Sequence, residues 1–251
     1  MKAALQALAG ALGYRIERLR PPLPGRALHV LDFVLHRLNE RRGGEVTFVQ
    51  VGANDGVQED PCFAWIGRYP WRGVLVEPQP DLAERLRALH AGNPRIRVEQ
   101  AAIGAAAGTL TLHYLRPGAE SWTSGIASLR KEALLGHRHK IADFDARLAS
   151  VEVRVLPLER LLAEHGIAAL DFLQIDAEGL DAEILRGLDL ARLRPAVIAF
   201  EHANLAPPEL AACRAQLAAH GYAFASWLGD TVACLPELAL VSEDRCSFLG
   251  A

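Results

Sequence analysis

Several apolar runs in this chain end in acids or in a glycine turn. Phe48-Val49-Gln50-Val51 runs into Gly52-Ala53-Asn54-Asp55-Gly56, and Val74-Leu75-Val76 into Glu77-Pro78. Phe172-Leu173-Gln174-Ile175 runs into Asp176-Ala177-Glu178-Gly179, and Val197-Ile198-Ala199-Phe200 into Glu201-His202. Carboxylates gathered at one place repel one another unless a cation or hydrogen-bond donors stand among them. Two ligand classes meet that need: a divalent metal, or an organic molecule with positive charge and hydroxyls.

The glycines narrow the choice. A buried strand ends in Gly52 and Gly56 where the backbone must turn tightly or approach something closely. Backbone N–H groups at a helix that follows could hold an anionic end of a ligand. Glu77 closes the second strand, 25 residues after Gly52, where an acid can accept both hydroxyls of a ribose. A glycine turn with a ribose-binding acid points to an adenosine-type cofactor. The dinucleotide fingerprint needs a third glycine that this turn lacks, and a pyrophosphate fits poorly among Asp55, Asp176 and Glu178. S-adenosylmethionine carries a sulfonium, an ammonium and a single carboxylate, and suits an acid-rich site.

The elements that must position these residues alternate. EVTFVQVG, GVLVEP, IRVEQAAIG, DFLQIDAEG and AVIAFEH read as strands. PCFAWIGRY, DLAERLRALHAG (Asp81 as N-cap), PLERLLAEHG, EGLDAEILRGL and PPELAACRAQLAAHG read as helices. TLTLHYL alternates like a half-exposed strand, VEVRVLPL resumes the strand pattern, and YAFASWLGDTVACLP closes as a hairpin turning near Gly229-Asp230. Continuously apolar strands separated by helices imply a parallel sheet covered on both faces. The reading is a single doubly wound α/β domain over 45–251, preceded by a helical extension over 1–44. In open sheets of this kind, ligands bind beyond the carboxyl ends of the strands, where the acids stand.

In the extension, Leu5, Leu8, Leu12, Ile16 and Leu19 recur at helical spacing, RPPLPG interrupts, and Leu28, Leu31, Leu35 and Leu38 mark a second helix ending at Gly43-Gly44. These helices suit packing or a homodimer contact. Residues 116–150 break the rhythm and read as a lid-like insertion. Its Arg130, Lys131, His137, Arg138, His139 and Lys140 form a solvated face or recognise an anionic acceptor, and Trp122 could stack on a sugar or on adenine. No partner cluster supports His137 and His139 as metal ligands.

Composition excludes other classes. A net charge of −3 gives no basic field for nucleic acid, and no run reaches the ~20 apolar residues of a membrane span. The four cysteines match neither a zinc spacing nor a disulfide framework, which suits reduced thiols in the cytoplasm.

VGANDG, VEPQP, LQIDAEGLDAEILRGL and IAFEH together resemble, in order and spacing, the FkbM family of S-adenosylmethionine-dependent methyltransferases, over about Glu45 to His202. The resemblance implies a Rossmann-like methyltransferase fold, mostly parallel, with one antiparallel strand near the C-terminal edge. It implies that Gly52, Asn54 and Gly56 line the methionine portion of the cofactor, Glu77 binds the ribose, and Ala101 and Ala102 lie beside the adenine. Asp176 and Glu178 would stand at the methyl-transfer end. Gln174 departs from the lysine often found in the family and, inside a strand, is expected to be neutral in effect. The family mostly methylates hydroxyls of sugars or natural products, with some members acting on nitrogen. An alcohol acceptor benefits from a base, and Asp176, Glu178 and His202 are the candidates by position. A nicotinamide oxidoreductase, a metal-dependent methyltransferase using Asp176, Glu178 and His202, and a non-catalytic binding module are the competing readings.

Overall fold

In the computed structural model the described residues are 30–57, 60–116, 118, 126–141, 143–227 and 229–238. The first expected helix, the Pro-rich break, Trp122 and Cys246 lie outside them.

The central sheet has seven strands, ordered β10-β11-β9-β8-β1-β2-β3. Its parallel members are β1 (Thr47–Val51), β2 (Arg72–Val76), β3 (Ile96–Glu99), β8 (Phe172–Ile175) and β9 (Val197–Glu201). The closing hairpin supplies β10 (Ala223–Trp227) and β11 (Asp230–Cys234). β11 inserts antiparallel between β9 and β10. The expected mostly parallel sheet with an antiparallel strand at its C-terminal edge is what the chain forms.

Helices cover both faces. α1 (Val30–Arg41), α2 (Phe63–Arg68) and α3 (Pro80–His90) pack on one, contributing Leu35, Leu38, Trp65, Ile66 and Leu86 to a core that also holds Phe48 and Phe172. α6 (Leu158–Glu164), α7 (Asp181–Arg186) and α8 (Pro207–Ala219) pack on the other, against Val49, Val51, Leu173 and Ile175. Period-two alternation divides each strand between the two cores. Burying a Leu or Phe side chain contributes about 1.5–3 kcal/mol, so these two layers dominate the favourable side of folding. Trp71 is fully buried, stacks on Trp65 at 5.4 Å between ring centroids, and donates its indole N–H to Asn39 Oδ1 at 2.8 Å. That bond ties α1 to the start of β2. The apolar face of α1 that could have served a partner copy is thus used within the chain: Leu31, Val34, Leu35 and Leu38 are all buried.

A second sheet departs from expectation. It has four strands, ordered β4-β7-β5-β6. They are β4 (Ala102–Ile103), β5 (Gly108–Leu115), β6 (Ala127–Ser128) and β7 (Leu148–Leu156). The run IRVEQAAIG splits, its first half staying in the central sheet as β3 and its second half crossing over as β4. VEVRVL joins β5 antiparallel, from Gly108↔Val155 to Leu115↔Leu148, instead of re-entering the central sheet. Between β6 and β7, α4 (Lys131–Leu135) and α5 (Phe144–Arg147) pack with Leu115, Ile126 and Ile141 into a small core of their own.

Candidate functional site

The five central strands end in one row. The pairing Val76–Val51–Ile175–Phe200–Thr231 runs across β2, β1, β8, β9 and β11. One residue further along stand Glu77, Gly52, Asp176, Glu201 and, one residue earlier on antiparallel β11, Asp230. Gly52 has φ +78°, and a Cβ built on it would lie 1.8 Å from the Asp176 carbonyl oxygen. Only glycine lets β1 and β8 stay paired as far as this turn.

Beyond the row opens a cavity of about 300 Å³. Its floor comes from the central sheet, and its opposite wall from β4, β5 and Ile126–Leu129 of the insertion. Gly52, Asn54, Glu77, Ala101, Ala102, Asp176 and Glu178 all line it, so most of the residues singled out in the sequence are brought together. Five carboxylates line it, from Asp60, Glu77, Asp176, Glu178 and Glu201, with no lysine, arginine or histidine of the described residues.

Each acid has a different setting. Glu77 is buried and accepts the backbone N–H of Asn54 and of Gln79, both at 2.9 Å. Burial raises its pKa to about 7, against the pull of those donors. Each of its oxygens keeps a second lone pair for a ligand hydroxyl. Asn54, at φ +50°, turns its own side chain back onto the Asp55 N–H at 2.8 Å. Asp176 is accessible from the cavity yet crowded by protein, and desolvation followed by Glu201, Glu178, Asp181 and Asp230 pushes its pKa well up. Glu178 is raised to about 7 by burial and then Asp181; Glu201 is raised to about 8 by burial, then Glu178 and Asp181. Neither Asp176 nor Glu178 caps the next helix, which has Leu180 at its N-cap position and no side-chain cap; the Ala177 and Gly179 N–H groups before it go to Asp181, at 3.4 and 3.3 Å.

Several expected residues stand elsewhere. Gly56 does not line the cavity; its φ is +74°, and a Cβ there would meet Leu86 of α3 at 2.6 Å, so this glycine serves packing. His202 also stands apart, its Nδ1 3.1 Å from the Thr231 hydroxyl and its pKa lowered by burial and by Arg214. Among the described residues, no helix N-terminus is open to an anion after the glycine turn: α2 begins at Phe63, and Asp60 accepts the N–H groups of Cys62 and Phe63 at 2.6 and 2.7 Å. Asp81 is likewise not the cap of α3, which starts at Pro80 with Gln79 before it.

Gln174 is not neutral in position. It pairs in register with Gln50, and both side chains line the cavity. Gln50 is held by a 3.0 Å bond from its amide to Asp60, leaving Oε1 buried with no protein partner; Gln174 Oε1 is in the same state. Two orphaned acceptors in a cation-free cavity call for a ligand that brings donors. The signal was readable: glutamine on a strand with both faces buried is a polar group in need of a partner.

Of the insertion's basic residues, Arg130 pairs with Glu183 at 3.3 Å and Arg138 with Asp145 at 2.6 Å. Neither they nor Lys131, His137, His139 and Lys140 reach the cavity. Ser128 docks the insertion on the site by donating its hydroxyl to the Glu178 carbonyl at 2.8 Å. Asn204, which sequence reasoning missed, donates from one amide nitrogen to Glu178 at 3.0 Å and Glu201 at 2.8 Å. Among the described residues no group of three or more His, Cys, Asp and Glu could hold a metal ion, and no helix is long and apolar enough to cross a membrane.

A seven-stranded sheet with this order, one antiparallel insertion and an acidic crevice at its carboxyl edge defines a Rossmann-like methyltransferase. The methyltransferase FkbM domain matches residues 50–224, and the chain belongs to that family of S-adenosylmethionine-dependent enzymes. A relative from Streptomyces tacrolimicus, 31-O-demethyl-FK506 methyltransferase FkbM, is 33% identical over 205 residues, which are 73% of this chain and 74% of the relative. Solved structures show a looser likeness. A methyltransferase FkbM from Methylobacillus flagellatus KT gives a TM-score of 0.49 at 14% identity, over 76% of this chain and 44% of that one. The N-terminal domain of human METTL16 in complex with SAH gives 0.41 at 13% identity, over 92% of this chain and 80% of that one.

Proposed function

We propose that the cavity binds S-adenosylmethionine and that the chain methylates a hydroxyl group on a small molecule, a saccharide or a natural product. The observation that carries the cofactor reading is the set of acceptors without a cation: carboxylates and two orphaned glutamine oxygens around a glycine that permits close backbone approach. A net cationic ligand rich in donors fits that set, and a pyrophosphate does not. The hydroxyl reading draws on the name of the Streptomyces relative, whose substrate is an O-demethylated compound. The buried thiols of Cys62, Cys213 and Cys234 suit a reducing cytoplasm.

When bound, the cofactor supplies a methyl group on a sulfonium that leaves as a neutral thioether. The chain's own work is placement, for which an in-line approach can supply several kcal/mol. Glu77, fixed by two backbone N–H groups, orients the ribose through its remaining lone pairs. Ala101 and Ala102 leave room for the flat adenine. Gln50 and Gln174 accept from the ammonium end. Asp176, beside Glu178 and Glu201, would accept the proton of the acceptor's hydroxyl. A carboxylate whose pKa is pushed up by desolvation and then by neighbouring acids holds a proton more tightly than a free one, which suits it to that transfer.

The test is calorimetric binding of S-adenosylmethionine to wild type and Glu77→Ala, with NADH as control. Micromolar binding to wild type that weakens more than tenfold in Glu77→Ala is expected. Preference for NADH, or a Glu77→Ala variant that is folded and binds normally, would sink the assignment.

A further inference from the structure

Glu178 and Glu201 come from different elements, the loop after β8 and the end of β9, and nothing in the sheet ladder joins their side chains. Asn204 does. Its amide nitrogen has two hydrogens, and the distances of 3.0 Å to Glu178 Oε2 and 2.8 Å to Glu201 Oε2 assign one to each. We infer that Asn204 is a positioning residue which binds the two carboxylates into one proton-holding pair beside the reaction centre and fixes the pH at which that pair ionises. Its purpose rests on the methyl-transfer reading above, whereas the coupling is a property of the chain without ligand.

The charges around the pair make this amide consequential. Asp176 at the end of β8, Asp181 on α7 and Asp230 on β11 face Glu178, Glu201 or both, and no cation contributes to the titration of either. His202 is engaged with Thr231, and Arg214 acts on His202. Two crowded carboxylates with no cation hold protons into the neutral range, and the Asn204 hydrogens are the side-chain donors that favour their ionised forms. Strongly interacting acids lose protons in steps that belong to the pair. With the amide in place, the pair gives up a proton near neutral pH and can relay one taken up by Asp176. Without it, both carboxylates stay protonated to higher pH.

The experiment uses the full chain without cofactor, labelled with [δ-13C]glutamate, and follows the carboxyl resonances of Glu178 and Glu201 against pH. Glu178→Gln and Glu201→Gln assign the two signals. Asn204→Leu, nearly isosteric and without donors, is expected to raise the pair's midpoint by about one pH unit, a tenfold change in proton affinity. Asn204 is exposed on a turn, so the variant should fold. If it does not, Asn204→Ser carries the same readout, because its short hydroxyl has a single hydrogen. Midpoints that stay at wild-type values or fall overturn the inference, even if the melting temperature drops, since a merely structural turn residue would lower stability without moving the titration. In the methyl-transfer assay the acid limb of the pH profile moves up with the pair. Cofactor binding, measured separately, reports on the underlying reading, so the two can fail independently.

Discussion

Gly52→Ala separates close approach from backbone strain, because other glycines supply the controls. At Gly166 φ is +65° and no atom lies within 4 Å of where a methyl group would stand, so Gly166→Ala meets strain alone, about 1 kcal/mol. At Gly67, inside α2, the space is also open and φ is ordinary, so Gly67→Ala should be neutral or stabilise by about 0.5–1 kcal/mol. Gly52→Ala meets the same strain plus a carbonyl oxygen 1.8 Å from the new carbon. Ordinary contact requires β1 and β8 to part by more than about 1.5 Å. That loosens the 2.9 Å bond from Asp176 N to Val51 O, which joins the end of β8 to β1, and weakens the ladder beside it. Strain and about one or two lost ladder bonds total roughly 2–4 kcal/mol, or roughly 5–15 °C in Tm for a chain this long. Urea unfolding with linear extrapolation measures the three variants, and calorimetry measures S-adenosylmethionine affinity. Gly52→Ala should lose binding, while Gly166→Ala and Gly67→Ala keep it. A Gly52→Ala chain as stable as Gly166→Ala would refute the reasoning from close approach, and unaltered affinity would refute the cofactor role of the turn.

Other perturbations have defined outcomes. Trp71→Phe keeps the aromatic core but leaves buried Asn39 Oδ1 without its donor, and should cost about 1–3 kcal/mol in urea unfolding; a neutral result would contradict the tie between α1 and β2. Glu178 and Glu201 have native pKa values of about 7 and 8 against 4.5 for the free side chain, so the native chain binds more protons between those limits. Their contribution to stability is therefore complete below about pH 4.5 and is lost as pH rises through 7–8, and Glu201→Gln should flatten the decline in urea midpoints over that range. A wild-type midpoint that rises over the same range would go against it. EDTA should leave methyl transfer unchanged, since the described acids form no ligand set for a metal; loss of activity restored by one divalent ion would reverse this.

Much of the fold was legible because the central strands carry an unambiguous signal. Val49, Val51, Leu173, Ile175, Ile198 and Phe200 are apolar on a face that helices must cover, and the acids that follow mark the carboxyl edge. The second sheet was less legible: β4, β5 and most of β7 fall in runs read as strands, whereas β6 lies in the stretch read as an insertion. VEVRV alternates apolar and charged residues, the mark of an antiparallel strand with one wet face, but alternation does not say which sheet a strand joins. Nor does sequence show that the chain leaves the central sheet between Glu99 and Ala102. At the site, Glu77, Asp176 and Glu178 were found because acids stand out after apolar runs. Gln50 was passed over and Gln174 was read as a neutral departure, because amides inside strands read as tolerated polar residues. Asn204 left no signal, since its partners are brought to it by two separate strands.

The floor and the roof of the cavity belong to different sheets. The floor is the edge of the large sheet, continuous with both main cores, whereas the roof is made by β4, β5 and Ile126–Leu129, which share smaller cores of their own and also reach a main core through Ile103 and Leu129. The roof is tied to the floor by the apolar contacts of Ile103 and Leu129 with the main core and by the bond from Ser128 to the Glu178 carbonyl. Leu112 and Ile126, which belong to the small cores, line the cavity from the roof side, so a substitution there reshapes the cover while the carboxylate row keeps its place. Such a division makes the site a fixed socket under an interchangeable cap.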